Sequence, residues 1–379
     1  MNVLNVCCNF DAVTGGGEAE RTLQMSKALI ASGIGCRILT TDTGLNDERK
    51  SVIGFAGLVA LPLLLRRFYL PFGGFKQIRQ LVSDSDIVHL IGHWTILNAL
   101  VYYAARRENK PYVVCPAGAA TIFGRSKLLK KFYSLVVGRR IFENAANSIA
   151  VTDDELEHLV QAGALRSRVV VIHNAVVQSD FEYSDPGLFR KKFQLSERRL
   201  ILFVGRLNPI KGPDILLEAF DMLRDKLSDV DLLFVGPDGG LQRQLELDVH
   251  SLDLGGRVRF IGYLGGEDKA AAYHAADLLV IPSRLEAMSI VALEAGICGT
   301  PVLLTDKCGF HQLSEVGAGW VVPATVIDIR DGIDKAMNDI EARNQASKNI
   351  RKYVSEQYTW TASVARHISL FRSAVAKFP

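Results

Sequence analysis

The stretch Leu278-Leu-Val-Ile-Pro-Ser283 runs almost directly into Glu286-Ala-Met-Ser-Ile-Val-Ala-Leu-Glu294. The first segment is apolar enough for a buried strand, and the second predicts a helix that begins near Ser289. Strand followed by helix is the repeating unit of a parallel sheet, which binds ligands at the carboxyl ends of its strands. We therefore expect Glu286, in the loop, and Glu294, about one turn inside the helix, to face one ligand.

The chemistry of this segment suits a nucleotide sugar. Carboxylates accept hydrogen bonds from hydroxyl groups, while the free N–H groups and positive dipole end of a helix N-terminus suit a phosphate. A plainer interpretation stays open, because two glutamates at this spacing occur by chance in many chains.

A similar strand-to-helix turn lies upstream. The apolar run 200–204 is followed by Gly205, Arg206 and Lys211, and then by an amphipathic stretch over 215–227. A glycine at a strand end lets a ligand approach the backbone, and both cations are able to donate to phosphate oxygens. The alternative is that the two cations are simply solvated.

Further units repeat this pattern through the C-terminal half. The run 232–235 leads into Gly236, and a strand over 257–263, a helix over 267–276 and a strand over 277–281 follow. This order predicts a parallel sheet.

Together these motifs resemble the retaining nucleotide-sugar glycosyltransferases of the GT-B fold. That group carries a Gly-Arg-Leu…Lys-Gly motif, here Gly205 to Gly212, and a Glu-x7-Glu motif, here Glu286 to Glu294, followed by Gly299-Thr-Pro-Val302. The resemblance covers nearly the whole chain. It implies an α/β protein of two Rossmann-like, doubly wound parallel-sheet domains that face a central cleft.

The resemblance also implies roles for individual residues. Arg206 and Lys211 would bind the donor diphosphate, Glu286 the transferred sugar and Glu294 the ribose. In place of the Glu-Gly-Phe-Gly that is usual in the family, this chain has Glu286-Ala-Met-Ser289. We still expect the backbone amides of this segment to point at the sugar, and we expect Ser289 to add a hydroxyl donor near the phosphate. The expected catalytic residues are Glu286, Arg206 and Lys211, and the expected donor-binding residues are Gly205, Gly236, Met288, Ser289, Ile290 and Glu294.

The N-terminal half predicts a second α/β domain. A strand over 2–10 and a flexible loop at Gly15-Gly-Gly17 precede a helix over 18–32. The loop is either a phosphate cradle or a tight turn, and the resemblance places Gly16 and Gly17 against the diphosphate or the acceptor. Further strands are expected over 34–41, 86–90 and 112–116.

Two histidines bracket a predicted strand end in this half. His89 and His93 are candidates for the acceptor side, although a histidine beside an apolar strand is more often packed and hydrogen-bonded. Many relatives have His-Gly after the next strand, whereas this chain has Ala117-Gly118. Ala117 therefore has no expected catalytic role.

The chain has 379 residues, which exceeds the size at which single cores stop growing. We predict an acceptor-side domain over 1–177 and a donor domain with its linker over 178–357. A last helix over 358–379 is expected to pack back on the first domain.

Cysteine usage and metal motifs predict a metal-free cytoplasmic protein. The six cysteines include no Cys-x-x-Cys pair, and the chain opens directly as a strand. We therefore expect buried thiols in a reducing compartment, and neither a zinc site nor a signal peptide is expected. No Asp-x-Asp motif stands at a strand end. We expect no cofactor or metal beyond the nucleoside diphosphate sugar itself.

Basic residues interleaved with apolar ones occupy two acid-free segments, 51–82 and 117–142, although the net charge is only +3. This composition suits an anionic membrane surface, with a solvated basic face as the alternative. Nucleic acid is not expected because no binding motif accompanies the charge, and the apolar run 52–65 is too short to span a bilayer, which takes about 20 residues. The basic residues are Arg66, Arg67, Lys76 and Arg79, and then Arg125, Lys127, Lys130, Lys131, Arg139 and Arg140.

We therefore predict a metal-independent retaining glycosyltransferase, peripheral to the inner face of the cell membrane. It would move a hexose from a nucleoside diphosphate sugar to a lipid-linked or membrane-proximal glycan in bacterial surface polysaccharide synthesis. The alternatives are a sugar-nucleotide epimerase on the same fold and a non-catalytic homologue in a polysaccharide assembly complex.

Overall fold

The computed structural model describes residues 1–11, 13–45, 57–65, 70–122 and 126–378, and in it the chain divides into two compact units. Unit 1 comprises Met1–Asn174 and Trp360–Pro379, and unit 2 comprises Ala175–Thr359. The first predicted boundary, after residue 177, lies three residues beyond Asn174, and the second, after residue 357, lies two residues before Thr359.

Unit 1 contains a seven-stranded parallel sheet in the order β3-β2-β1-β6-β7-β8-β9, beside a small antiparallel pair β4-β5. Its central strand β6 is buried along its whole length, as expected for a parallel sheet covered on both faces. The strands are β1 (Asn2–Val6), β2 (Gly35–Thr41), β3 (Leu58–Leu61), β4 (Leu63–Leu65), β5 (Leu70–Pro71), β6 (Ile87–Ile91), β7 (Tyr112–Cys115), β8 (Asn147–Ala150) and β9 (Val169–Val171).

Helices flank this sheet, and the last helix of the chain packs against the first. They are α1 (Gly16–Ala31), α2 (Phe75–Ser83), α3 (Ile96–Arg107), α4 (Lys127–Tyr133), α5 (Arg139–Glu143), α6 (Asp153–Ala162) and α15 (Trp360–Ala376), with a π-helical turn at Ser134–Gly138 and a 3-10 turn at Arg166–Arg168.

Unit 2 contains a six-stranded parallel sheet in the order β12-β11-β10-β13-β14-β15. Its strands are β10 (Arg199–Val204), β11 (Val230–Val235), β12 (Val258–Gly262), β13 (Leu278–Ile281), β14 (Val302–Thr305) and β15 (Gly319–Val322). Its helices are α7 (Pro186–Lys192), α8 (Pro213–Asp221), α9 (Gln242–Ser251), α10 (Gly266–Ala275), α11 (Ile290–Cys298), α12 (Gln312–Glu315), α13 (Val326–Asn338) and α14 (Ile340–Gln357), after a 3-10 turn at Gln178–Phe181.

Both sheets reverse their winding direction at one point, and this position locates the candidate sites. In unit 2 the reversal lies between β10 and β13, and in unit 1 it lies between β1 and β6. Crevices at such switch points, outside the carboxyl ends of the strands, are where open α/β sheets bind ligands. The predicted fold class, two Rossmann-like parallel-sheet domains, is confirmed.

Three sequence-based element boundaries were wrong. The glycine-rich stretch is not wholly a loop, because α1 begins at Gly16 and takes in Gly17, while Gly15 is the residue before the helix. A Cβ on Gly15 would lie 2.5 Å from the carbonyl oxygen of Asp11, so the tight turn needs glycine there. Strand β1 ends at Val6 rather than at residue 10, and the helix predicted over 215–227 ends at Asp221.

Candidate functional site

The loops after β10 and β13 meet at the switch point of unit 2. The backbone N–H of Arg284 donates to the carbonyl of Ile210 (2.7 Å), which ties one loop to the other. A Cβ on Gly212 would lie 2.2 Å from the carbonyl oxygen of Pro282. A Cβ on Gly236 would lie 1.9 Å from the carbonyl oxygen of Gly205. The glycines of the predicted motif are therefore required where these turns approach one another.

An ion pair joins the two loops at this point. Lys211 Nζ donates to Glu286 Oε1, and both side chains are largely or partly buried. The other carboxylate oxygen of Glu286, Oε2, is buried and has no hydrogen-bond partner among the described residues. The structure thus brings together two residues that the sequence treated as separate contacts to phosphate and sugar.

The charge state of Lys211 is set by opposing influences. Burial, the largest cause, and the nearby cation of Arg206 lower its pKa to about 8, while Cys308 acts in the opposite direction. The adjacent carboxylate of Glu286 also favours the ammonium form. Arg206 itself is exposed, with its aliphatic stem beside Gly239.

Two hydroxyl groups, three residues before and three residues after Glu286 in the sequence, are buried without a partner in the described part of the chain. Ser283 Oγ follows β13, and Ser289 Oγ stands at the N-terminus of α11. Serine at this position normally caps its helix, as Thr95 and Thr325 do for α3 and α13, but Ser289 makes no such bond. Buried polar groups are almost always hydrogen-bonded, so orphaned hydroxyls at a helix N-terminus indicate a place for a polar ligand.

Glu294 lies in the second turn of α11 and is 4% exposed. Its carboxylate accepts hydrogen bonds from Lys269 Nζ (2.6 Å) and from the hydroxyl of Tyr273 (2.6 Å). Sequence reasoning missed both partners, which stand four residues apart on α10. Met288 is buried, and Ile290, partly buried, opens α11.

In unit 1 the two predicted histidines lie inside the fold. His89 does not end its strand but stands in the middle of β6, fully buried, with Nδ1 3.2 Å from Asn5 Oδ1 and its ring against Phe371. His93 packs on the rings of Trp94 and Phe142.

Burial holds the pKa of His89 well below its usual range and lowers that of His93 to about 3. Both rings are therefore neutral. For His89, the interpretation as a packed and hydrogen-bonded residue of the core is the one that fits its position. Acceptor contact by His93 remains a prediction.

Glu18 is a further titratable group at the switch point of unit 1 that sequence reasoning did not single out. Its carboxylate lies against Gly92, the residue that follows β6. A Cβ on Gly92 would be only 2.9 Å from Glu18 Oε2. Burial raises the pKa of Glu18 to about 7. Gly16 and Gly17 are exposed in the first turn of α1, and Ala117 adopts a positive φ of 49°.

The described part of the basic segment 117–142 carries an exposed apolar surface. Leu128, Phe132 and Leu135 are 82, 64 and 81% exposed, and Lys127 and Lys131 stand on the same short helix. In the other segment, Leu64 and Phe72 are also exposed. Arg66, Arg67 and Arg125 lie outside the described residues.

The six cysteines are all buried free thiols. Within the described ranges, no group of three or more His, Cys, Asp or Glu side chains is placed to hold a metal ion. None of the described helices combines the length and the apolar content needed to cross a bilayer.

Comparison with known families agrees with this geometry. Residues 16–175 match the family described as glycosyl transferase 4-like domain, and residues 187–353 match glycosyl transferases group 1. The chain belongs to this family of GT-B glycosyltransferases.

Individual relatives are similar over part or all of the chain. A D-inositol 3-phosphate glycosyltransferase of Gordonia bronchialis is 30% identical over 64% of this chain and 56% of its own length. The chain spans about half the length of the curated relatives it matches.

Two solved structures share the fold over nearly the whole chain. Anabaena HepE, in complex with UDP and glucose, has a TM-score of 0.82 and 18% identity over 98% of this chain and all of its own. WaaG, a glycosyltransferase involved in lipopolysaccharide biosynthesis, has a TM-score of 0.70 and 20% identity over 99% of each chain.

Proposed function

We propose that this protein is a metal-independent, retaining glycosyltransferase that moves a hexose from a nucleoside diphosphate sugar to a membrane-proximal glycan. The observation that carries the proposal is the group of unsatisfied polar atoms at the switch point of unit 2: Ser283 Oγ, Ser289 Oγ and Glu286 Oε2. They stand beside the cation of Lys211 and the uncapped N-terminus of α11. Hydroxyl, carboxylate and positive groups in one crevice suit a sugar attached to a diphosphate.

The positive groups of the crevice supply the electrostatic part of catalysis. Negative charge develops on the diphosphate as the glycosidic bond breaks, and Lys211, Arg206 and the N–H groups of α11 would stabilise it. Because these groups supply the positive charge that a metal ion supplies at other sites, the proposed reaction needs no metal ion.

The state of the site carboxylate bears on how retention of configuration would occur. Glu286 is paired with Lys211 through one oxygen, so it is better suited to accept hydrogen bonds from sugar hydroxyls than to act as a nucleophile. The leaving phosphate would then assist attack of the acceptor hydroxyl from the same face of the sugar.

A membrane-proximal acceptor is supported by the surface of α4. Exposed leucines and a phenylalanine between lysines allow the helix to lie in the interface of an anionic bilayer, with apolar groups buried and cations at the headgroups. WaaG shares the fold and is involved in lipopolysaccharide biosynthesis, which is compatible with a glycan acceptor of bacterial surface polysaccharide synthesis.

A ligand screen followed by a product assay tests the proposal. UDP, GDP and ADP, with their sugars, should include one compound that raises the free energy of unfolding of the protein by about 2.7 kcal/mol at 100 times its dissociation constant. Release of free nucleoside diphosphate that depends on acceptor supports transfer. An epimerised sugar nucleotide would indicate an epimerase instead, and failure to bind any of these compounds would leave a non-catalytic partner as the better explanation.

A further inference from the structure

Glu294 is held by two side chains of α10 before any ligand arrives. Lys269 Nζ lies 2.6 Å from both carboxylate oxygens, and the hydroxyl of Tyr273 lies 2.6 Å from Oε2. Lys269 and Tyr273 stand one helical turn apart, so they present both donors on one face of α10.

The two donors differ in how firmly they are fixed. Tyr273 is completely buried, and its backbone carbonyl accepts a hydrogen bond from Thr300 Oγ1 (2.8 Å) just after α11. Burial and the neighbouring Glu294 raise the pKa of Tyr273 well above its usual range, so its hydroxyl keeps its proton and remains a donor. The side chain of Lys269 is 24% exposed and balances the negative charge.

An unpaired carboxylate in this position would be costly. A group as buried as Glu294 without a counter-charge would favour its neutral form, in which it accepts hydrogen bonds less well. Two other titratable groups lie nearby. Cys298 is on α11 itself, and burial together with the charge of Glu294 raises the pKa of its thiol to about 12. Arg351, on α14, acts to lower the pKa of the same thiol. In the described part of the chain neither of them forms a hydrogen bond or ion pair with Glu294, so Lys269 is its principal counter-charge.

We infer that Lys269 and Tyr273 are positioning residues for nucleoside recognition, which orient Glu294 and balance its negative charge so that it accepts the ribose hydroxyls of the donor. This inference rests on the proposed function, since it names the groups that prepare the ribose contact of the same site. Neither residue need touch the ligand.

The inference predicts a loss that depends on the ribose hydroxyls. Lys269→Met keeps the aliphatic stem but removes the cation, so binding of the preferred nucleoside diphosphate should weaken about tenfold, as expected when the charge-assisted bond that orients the carboxylate is lost. Lys269→Arg should bind like the wild type. Tyr273→Phe should weaken binding in the same direction but less.

Calorimetric titration with UDP, GDP and ADP identifies the preferred nucleotide, which is then compared with its 2′,3′-dideoxy form. The loss in Lys269→Met should largely disappear with the dideoxy compound, which offers no ribose hydroxyl. The matched control is Lys192→Met. Lys192 is an exposed lysine of α7 that pairs with Asp268 (2.7 Å), the residue before Lys269 on α10, so its loss should leave nucleotide binding unchanged.

The possible outcomes separate the two proposals. If wild-type protein binds a nucleotide and Lys269→Met binds it equally well, or loses ribose and dideoxy ligands alike, the positioning role is overturned and the proposed function stands. If the wild type binds none of these nucleotides, the proposed function fails and this inference fails with it.

Discussion

The two units put different chemistry at the same place in the fold. In unit 2, the loops at the switch point hold a lysine–glutamate ion pair and hydroxyls that have no partner among the residues the structure describes. In unit 1, the loop after β1 satisfies itself, because Asp11 Oδ1 accepts from the backbone N–H and the hydroxyl of Thr14 (2.6 and 2.7 Å).

The buried polar groups of unit 1 lie deeper in its core. Arg21 is 2% exposed and bonds to Asn174 Oδ1 (2.5 Å) and His367 Nε2 (3.3 Å), neither of which carries a balancing negative charge. Asn174 ends the first part of unit 1, and His367 lies on α15, after the chain has returned from unit 2. Among the described residues unit 1 also leaves His93 Nδ1 and Trp94 Nε1 without partners after β6. The difference therefore lies in the buried cations: Lys211 pairs with a carboxylate at the switch point of unit 2, whereas Arg21 ties chain segments together in unit 1.

The largest expected effect concerns the ion pair of unit 2. Lys211→Ala should lower turnover about 100-fold, or about 2.7 kcal/mol, because a charge-assisted contact to the leaving diphosphate is lost. Steady-state kinetics with the preferred donor provides the measurement. The control Lys226→Ala removes an exposed cation of the same unit that pairs with Asp334, and should leave turnover unchanged. Equal rates for both variants would show that Lys211 is a surface charge.

A second prediction tests the exposed surface of α4 in unit 1. Lys127→Glu with Lys131→Glu should weaken binding to anionic vesicles at least about 30-fold, since each lysine contributes about 1 kcal/mol near such a surface. Sedimentation with phosphatidylserine vesicles at low salt measures the change, and nucleotide binding should be unaffected.

The matched control for this variant is Lys348→Glu with Lys352→Glu. These exposed lysines of α14 have the same spacing, and the double change gives the same net charge, from +3 to −1, without exposed apolar neighbours. Wild-type protein that failed to sediment, or equal losses in both double variants, would favour a soluble acceptor.

Much of the fold was predictable because it depends on local patterns. Parallel strands buried on both faces are continuous apolar runs, so β10, β11 and β13 were visible in the sequence, as was the start of α11 near Ser289. The placement of Glu286 and Glu294 around a helix N-terminus followed from the same pattern.

The side-chain partners were not predictable in this way. Lys269 and Tyr273 belong to a different helix from Glu294, and no local pattern in the sequence records that the two helices meet at these positions. The burial of His89 depends on Asn5 and Phe371, which are distant in sequence. A pairing between remote elements appears only when the topology is known.

A third prediction tests the role of the buried arginine in unit 1. Arg21→Met keeps an aliphatic side chain but removes the guanidinium hydrogen bonds to Asn174 and His367, which should cost about 1 to 2 kcal/mol of local stability. Hydrogen exchange should accelerate in peptides from α1 and α15 and stay unchanged in α11. The control Arg37→Met breaks an exposed ion pair with Asp84 and should leave all three helices as they are. Faster exchange in α11 would contradict the separation of roles between the units.

The smallest expected effect is a pH dependence that belongs to unit 2. The ammonium form of Lys211 is needed for the diphosphate, and burial with nearby Arg206 lowers its pKa to about 8, so kcat/KM should be constant below that pH and decline as the pH rises through it. The decline should be about threefold between about pH 7.5 and pH 8.5, as expected for one group that loses its proton near pH 8. Lys211→Arg should remove this limb because arginine keeps its proton throughout the range. Cys308 beside the lysine does not account for the limb, since burial raises the pKa of its thiol. A limb that persisted unchanged in Lys211→Arg would assign the titration to another group and leave the charge of Lys211 without a measurable role.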